Sequence, residues 1–392
     1  MDYRVVVNLF LLLFIGVADN QIIAALLPSL VNSFEITVGT AGLLITMYSI
    51  AAALAAFFSG SLSDHFGRRR FLIAGILLFC LASWFTSRSQ TLTQILCARA
   101  LTGLAAGTIS TCAIAFAGDW FAYTIRGRAV GLISTAYFAA PVIGVPVAAQ
   151  VADRYGWRTA FLIVAVGASV VAILSLMLPE DAHNPEPSAE RLRTTVRAFR
   201  SILRRRDAVA ALSIAFLVSG GLVGFVAFIG QWLHSHFGIP TRTIGWVFML
   251  SGLVAVASAP LGGTLSDKLG KRRISIASNV LLACAVLAVP FFEWGVGLLL
   301  AFSLASLAAA FRQGPLTALM TEMVPPAQRG SFIALRNISS QMGIAAAVTL
   351  GGLLYQWHGY AAVTTMCALM TGLVAILLAT HIVEPLPASD KS

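Results

Sequence analysis

Long unbroken apolar runs, separated by short polar punctuation, organise this chain from end to end. An α-helix rises ~1.5 Å per residue, so crossing ~30 Å of hydrocarbon takes about 20 residues. Twelve runs meet that length: 5–31, 41–62, 71–88, 92–118, 128–150, 159–178, 208–234, 243–266, 273–292, 296–321, 330–354 and 360–383. The pattern predicts an all-α membrane protein of twelve transmembrane helices. An even number of crossings puts both termini on one side.

The punctuation is itself repeated. "GSLSDHFGRRR", Gly60 to Arg70, returns as "GTLSDKLGKRR", Gly263 to Arg273, 203 positions further on. The same offset pairs Asp64 with Asp267, Gly67 with Gly270, Arg69 with Arg272 and Gly156 with Gly359. It also pairs "DWFAYTIRG" at Asp119 to Gly127 with "EMVPPAQRG" at Glu322 to Gly330. The chain therefore reads as two pseudo-symmetric six-helix bundles, 1–178 and 208–392, joined by a basic linker, 179–207. Repeated bundles related by an axis along the membrane normal build transporters with a site between the halves.

Composition agrees. Apolar residues make up 58% of the chain and charged ones 11%, against roughly 25% charged in a soluble domain. The first run contains Asp19 and is too long for the apolar region of a leader, so it reads as a span. The net charge of +10 would suit nucleic acid, but its placement is topological. Arg4, Arg68 to Arg70, Arg126, Arg128, seven linker arginines, Lys268, Lys271 to Arg273, Arg329 and Lys391 all fall on the face of the termini. Only Arg88, Arg154, Arg158 and Arg242 fall on the other. This bias places the termini in the cytoplasm, with a bacterial inner (plasma) membrane as the expected location. In the linker, Leu192, Val196, Phe199 and Leu203 share one helical face among arginines. That predicts an amphipathic helix lying on the anionic inner leaflet.

The five cysteines form no C-x-x-C pair or Cys/His cluster, so neither disulfide framework nor metal site is expected. No Ser/His/Asp set or phosphate loop appears, which argues against an enzyme. No cofactor is expected beyond a coupling proton. The expected partners are a small-molecule substrate and the lipid, with a monomeric chain and no nucleic acid.

The G-x-L-x-D-x-x-G-R-R-R loop resembles the signature of the major facilitator superfamily. "LCARALTGLAAG", Leu96 to Gly107, is similar to its helix 4 motif with a membrane arginine. "GWRTAF", Gly156 to Phe161, resembles its lead into helix 6. The resemblance covers the whole chain and lies nearest the twelve-helix drug:proton antiporters and the sugar- or lipid-efflux exporters. It implies the superfamily fold and places helices 1 and 4 side by side at the cavity. The antiporter signature of helix 5 is only partly present in "AYFAAPVIGVP": Pro141 and Gly144 are kept, but Ala140 and Val145 stand where glycines are usual.

Repeated positions point to scaffold and gate. Gly60 and Gly263 would let helices approach closely. Asp64 and Asp267, at cytoplasmic helix ends, can meet a helix N-terminus of the opposite half and arginine donors. With Gly67, Arg68, Arg69, Asp119, Arg126, Gly270, Arg272, Glu322 and Arg329 they form the expected cytoplasmic gate. The other reading is that these charges only fix topology.

Charged positions that break the repeat point to substrate and coupling. Asp19 pairs with Leu222, Arg99 with Phe302 and Arg312 with Ile109. Asp19 lies about 12 residues, ~18 Å, from the far end of the first span, and Arg99 about 8 residues, ~12 Å, into the fourth. Their side chains can bridge that difference, as a proton-coupling pair or a structural one. Arg312, followed by Gln313, Gly314 and Pro315, could hold a substrate anion or be packed against carbonyls. Phe225, Phe228 and Trp232 form an aromatic face that suits either an amphipathic substrate or packing. Tyr48, Tyr137 and Gln231 complete the candidate cavity. Arg336 also falls inside a span.

The leading expectation is alternating-access transport, as proton-coupled export of a small amphipathic compound. The alternatives are a proton symporter or facilitator for an organic anion, and a non-transporting scaffold or channel.

Overall fold

Polar residues at the helix ends set where the membrane helices begin and stop. In the computed structural model residues 1–180, 197, 199–323 and 329–382 are described, apart from the side chains of Ser61, Asp64, His65, Tyr123, Thr321, Glu322 and Arg329. Helix α1 (Tyr3–Phe34) starts where the Asp2 carboxylate accepts from the Arg4 amide, and α2 (Val38–Phe66) where Thr37 accepts from the Thr40 amide. After α3 (Arg68–Arg88), α4 (Leu92–Trp120) opens on a reciprocal capping box between Thr91 and Gln94.

The fifth span, α5, is segmented into Tyr123–Ser134, Ala136–Ala139, a π-helical turn Ala140–Gly144 and Val145–Tyr155. Then follow α6 (Trp157–Ser175), α7 (Arg206–Phe237), α8 (Thr241–Leu269), α9 (Lys271–Ala288), α10 (Val296–Glu322), α11 (Arg329–His358) and α12 (Tyr360–His381). Twelve spans among the described residues are long and apolar enough to cross a membrane.

The sequence repeat is visible in the backbone. Gly67 and Gly270, the tight links after α2 and α8, share φ 96° with ψ 130° and 136°. Gly156 and Gly359, before α6 and α12, sit at φ 84° and 74°. Side chains follow suit. Arg69 donates to the carbonyl of Leu176 at 2.6 Å, and Arg272 to that of Ala379 at 2.5 Å. Both acceptors lie at the end of a half's sixth helix, 203 positions apart. Each arginine thus satisfies carbonyls that a helix terminus leaves open.

Within the first half α2 and α3 pack on α4, and α3 on α6; within the second α7 packs on α11 and α12, and α9 on α10 and α12. The halves meet through α2 with α11, α5 with α8, and α1 with α7. The close approaches between halves gather towards the face opposite the termini. Gly39 faces the Gly352 backbone, Gly42 faces the Phe228 ring, Gly230 faces the Ala24 carbonyl and Gly245 faces Ala149 and Pro146. Thr46 and Thr349 join by a 3.0 Å hydrogen bond. Towards the termini face, a Cβ built on Gly127, Gly131, Gly263 or Gly314 meets nothing within 4 Å. Among the described residues, these contacts between the halves lie at the far face and towards mid-membrane.

One expectation is corrected. Gly60 and Gly263 make no tight approach here: the nearest atom to a Cβ on Gly60 is a Thr111 methyl at 4.0 Å, and Gly263 has none. The approach in the second half is made by the preceding Gly262, against the backbone of Phe311. A second correction concerns the linker. Its described part is helical, but Phe199 is buried, with its ring 5.8 Å from that of Phe57, and Ile202 is buried beside the second half's core. Of the predicted face, Phe199 is covered by protein and Leu203 is exposed, while Leu192 and Val196 lie outside the described residues.

Candidate functional site

Small residues let α1, α2 and α4 come together deep in the first half. A Cβ on Gly16 would lie 3.5 Å from that of Ala106, and Gly103 lies directly against the backbone of Tyr48. No side chain larger than hydrogen fits at Gly103. This packing brings Asp19 and Arg99 into contact, as the depth arithmetic expects. Arg99 Nη1 donates to Asp19 Oδ2 at 2.5 Å, and both residues are fully buried. The guanidinium lies 4.9 Å from the centre of the Tyr48 ring, and the Tyr48 hydroxyl donates to the Gly16 carbonyl at 3.1 Å. The pair is single-pronged: Asp19 Oδ1 and Arg99 Nε and Nη2 have no hydrogen-bond partner. Removing two charges from water costs several kcal/mol per ion, and one bond recovers only part of it.

Arg312 is elsewhere and is held through both Nη atoms, while its Nε has no hydrogen-bond partner. It is fully buried, donating through Nη1 to Asn279 Oδ1 at 2.8 Å and through Nη2 to the Val218 carbonyl at 3.2 Å. It ties α10 to α9 and α7 as a packed arginine, while its neighbour Gln313 is exposed. The aromatic face of α7 is also packing. Phe225 lies against Phe302 and Tyr360, Trp232 stacks on Tyr360 at 5.0 Å, and Phe228 lies against Tyr355 and Gly42. Phe228 therefore belongs to the far-face closure. Gln231 is buried, with its Oε1 unpartnered.

Tyr137 differs. It is 49% exposed although it sits midway along α5. Its electrostatic neighbours are Tyr48 in the first half and Arg336, on α11, in the second. A group flanked by both halves is exposed to the space between them, not to lipid. The same relation brings Arg336 to that space. Its sequence signal was the one that singled out Asp19: it breaks the repeat, pairing with Ile133.

The turn carrying Pro141 and Gly144 is π-helical and lies at the seam. A Cβ on Gly144 would come within 2.8 Å of that of Ala18, next to Asp19. Gly252 of α8 packs on Pro141 and Val142 from the other half.

The described gate contacts stay within the first half or reach the start of the linker. Arg68 pairs with Asp119 at 3.0 Å, Arg69 approaches Glu180 at 3.7 Å, and Arg126 donates to the Phe121 carbonyl. Asp267 is exposed. The side chains of Asp64, Glu322 and Arg329 lie outside the described residues. The expected meeting of Asp267 with the opposite half is not made among the described residues.

The profile of the Major Facilitator Superfamily matches residues 9–240 and 211–392. Among similar proteins, an uncharacterized MFS-type transporter of Bacillus subtilis, YwfA, is 27% identical over 92% of this chain and 87% of its own. Multidrug resistance protein 2 of the same organism is 23% identical over 88% and 86%. The probable nitrate/nitrite transporter NarK2 of Mycobacterium tuberculosis is 27% identical over 88% and 86%. The solved structure of the xylose transporter XylE from E. coli, in an inward-open conformation, aligns with TM-score 0.79 at 16% identity, covering 98% and 97% of the two chains.

Proposed function

The chain belongs to the Major Facilitator Superfamily, and on that premise we propose that it is a secondary active transporter that exports a small amphipathic compound against protons. The observation that carries this reading is the buried Asp19–Arg99 pair. A proton-coupled carrier needs a group whose charge changes between its two access states. Asp19 is the only carboxylate deep within the spans. Held by one hydrogen bond, it can exchange its arginine for a proton when neighbouring helices move. The π-turn at Gly144 touches α1 beside Asp19 and α8 across the seam, so sliding between halves reaches the pair mechanically.

The direction is part of the proposal. With the basic face cytoplasmic by the positive-inside bias, an export cycle would load substrate from that side. Substrate and proton then compete, each favouring release of the other. A relative named for multidrug resistance fits this reading. One named for nitrate and nitrite fits the alternative, uptake of an anion. Reconstitution in liposomes with a pH-sensitive dye separates them: proton and substrate move in opposite directions for antiport and together for symport.

A further inference from the structure

Three arginines lie within the spans, and two are spoken for. Arg99 holds Asp19, and Arg312 holds Asn279 and a carbonyl. Arg336 has no hydrogen bond or carboxylate partner among the described residues, and its one recorded electrostatic neighbour is the Tyr137 phenol across the seam. A charge in a span costs roughly 2.5–3.5 kcal/mol on insertion scales, so one left without a protein partner faces water or a ligand. Arg336 is half-buried rather than enclosed, and Tyr137 opposite it is half-exposed. Between Ala129 and Gln150 on α5, and between Asn337 and Trp357 on α11, there is no charged residue. These stretches of α5 and α11 thus carry one cationic group, one phenol within electrostatic range of it and no other charge.

We propose that Arg336 and Tyr137 form an anion-binding pole of the cavity, and that the transported compound is an organic monoanion with an apolar body. A planar guanidinium matches a carboxylate in two-pronged fashion. The phenol can donate a further bond to the same group. A single cation balances a single charge; Phe138 to Val142 on α5 suit hydrocarbon or aromatic substance on the rest of the molecule, while Asn337, Ser339, Ser340 and Gln341 on α11 add neutral polar groups. This rests on the transport reading above, while assigning the substrate class.

The test uses the purified full-length protein in phosphatidylcholine nanodiscs, with radiolabelled benzoate as probe and unlabelled 4-phenylbutyrate and benzamide as competitors. The expected result is saturable benzoate binding, displaced by 4-phenylbutyrate but not by neutral benzamide. Arg336→Gln should weaken it at least ~10-fold, as for a lost charged hydrogen bond, and Tyr137→Phe about five-fold. Arg336→Lys keeps the charge without the fork, so it should fall between wild type and the Gln variant and guards against a folding defect. No saturable binding by the wild type, or equal binding by wild type and Arg336→Gln, overturns the proposal. Loss of benzoate binding when phosphatidylglycerol replaces phosphatidylcholine would make the occupant a lipid headgroup and overturn it too. Failure here is separable from failure of the transport reading. If a pH gradient drives a neutral or cationic compound through both wild type and Arg336→Gln, transport stands and the anion pole falls.

Discussion

Thr46 on α2 and Thr349 on α11 share a 3.0 Å hydrogen bond from one half of the molecule to the other. Beside it, Gly39 and Gly352 bring the same two helices into backbone contact. Alternating access requires this contact to break when the far face opens. With the native cysteines replaced, a Thr46→Cys/Thr349→Cys pair should form a disulfide on oxidation, abolish transport and recover it on reduction. Full transport by the cross-linked protein would show that α2 and α11 do not part during the cycle.

Gly67 and Gly270 stand at the same left-handed backbone angle in the two halves, φ 96°. A Cβ there is strained whatever the surrounding space. Gly67→Ala and Gly270→Ala should each destabilise the protein by ~1–3 kcal/mol. Being remote equivalents, they should be additive in the double variant. Unfolding in detergent measures this, and an unchanged midpoint would contradict the assigned backbone.

Arg312 and Asn279 form a structural tie, so the consequence of cutting it should fall on folding. Asn279→Ala removes the acceptor of Arg312 Nη1 and should cost ~1–3 kcal/mol or more, since the orphaned donor is charged. Substrate affinity of the folded fraction should be unchanged. A variant of native stability that no longer binds substrate would return Arg312 to the cavity.

Much of this architecture was legible in the sequence because a bilayer imposes strict rules on length and charge. The spans and the repeat at 203 residues follow from counting, and the Asp19–Arg99 contact from counted depths together with the family resemblance that sets helices 1 and 4 side by side. What counting could not supply was the surroundings of each side chain. Arg312 breaks the repeat as Asp19 does, yet Asn279 on another helix absorbs it. The stripe of Phe225, Phe228 and Trp232 suits a cavity as well as a core until Phe302, Tyr355 and Tyr360 are seen against it. Arg336 carried the repeat-breaking signal too, but it lies seven residues into α11 and resembles a helix-end charge. Only Tyr137 across the seam gives it a direction. The π-turn has a local cause visible in hindsight: Pro141 has no N–H to donate, and the ladder resumes from Val145 to Ala140.

The most direct measurement is uphill transport by Asp19→Asn in proteoliposomes. The substitution keeps the shape of the side chain and removes the charge that Arg99 holds, imitating the protonated form permanently. Accumulation of substrate driven by an imposed pH gradient should vanish. Exchange of substrate for substrate should persist, because it requires no proton release. A substrate gradient built from a pH gradient at the wild-type rate would contradict the account and remove Asp19 from the coupling step.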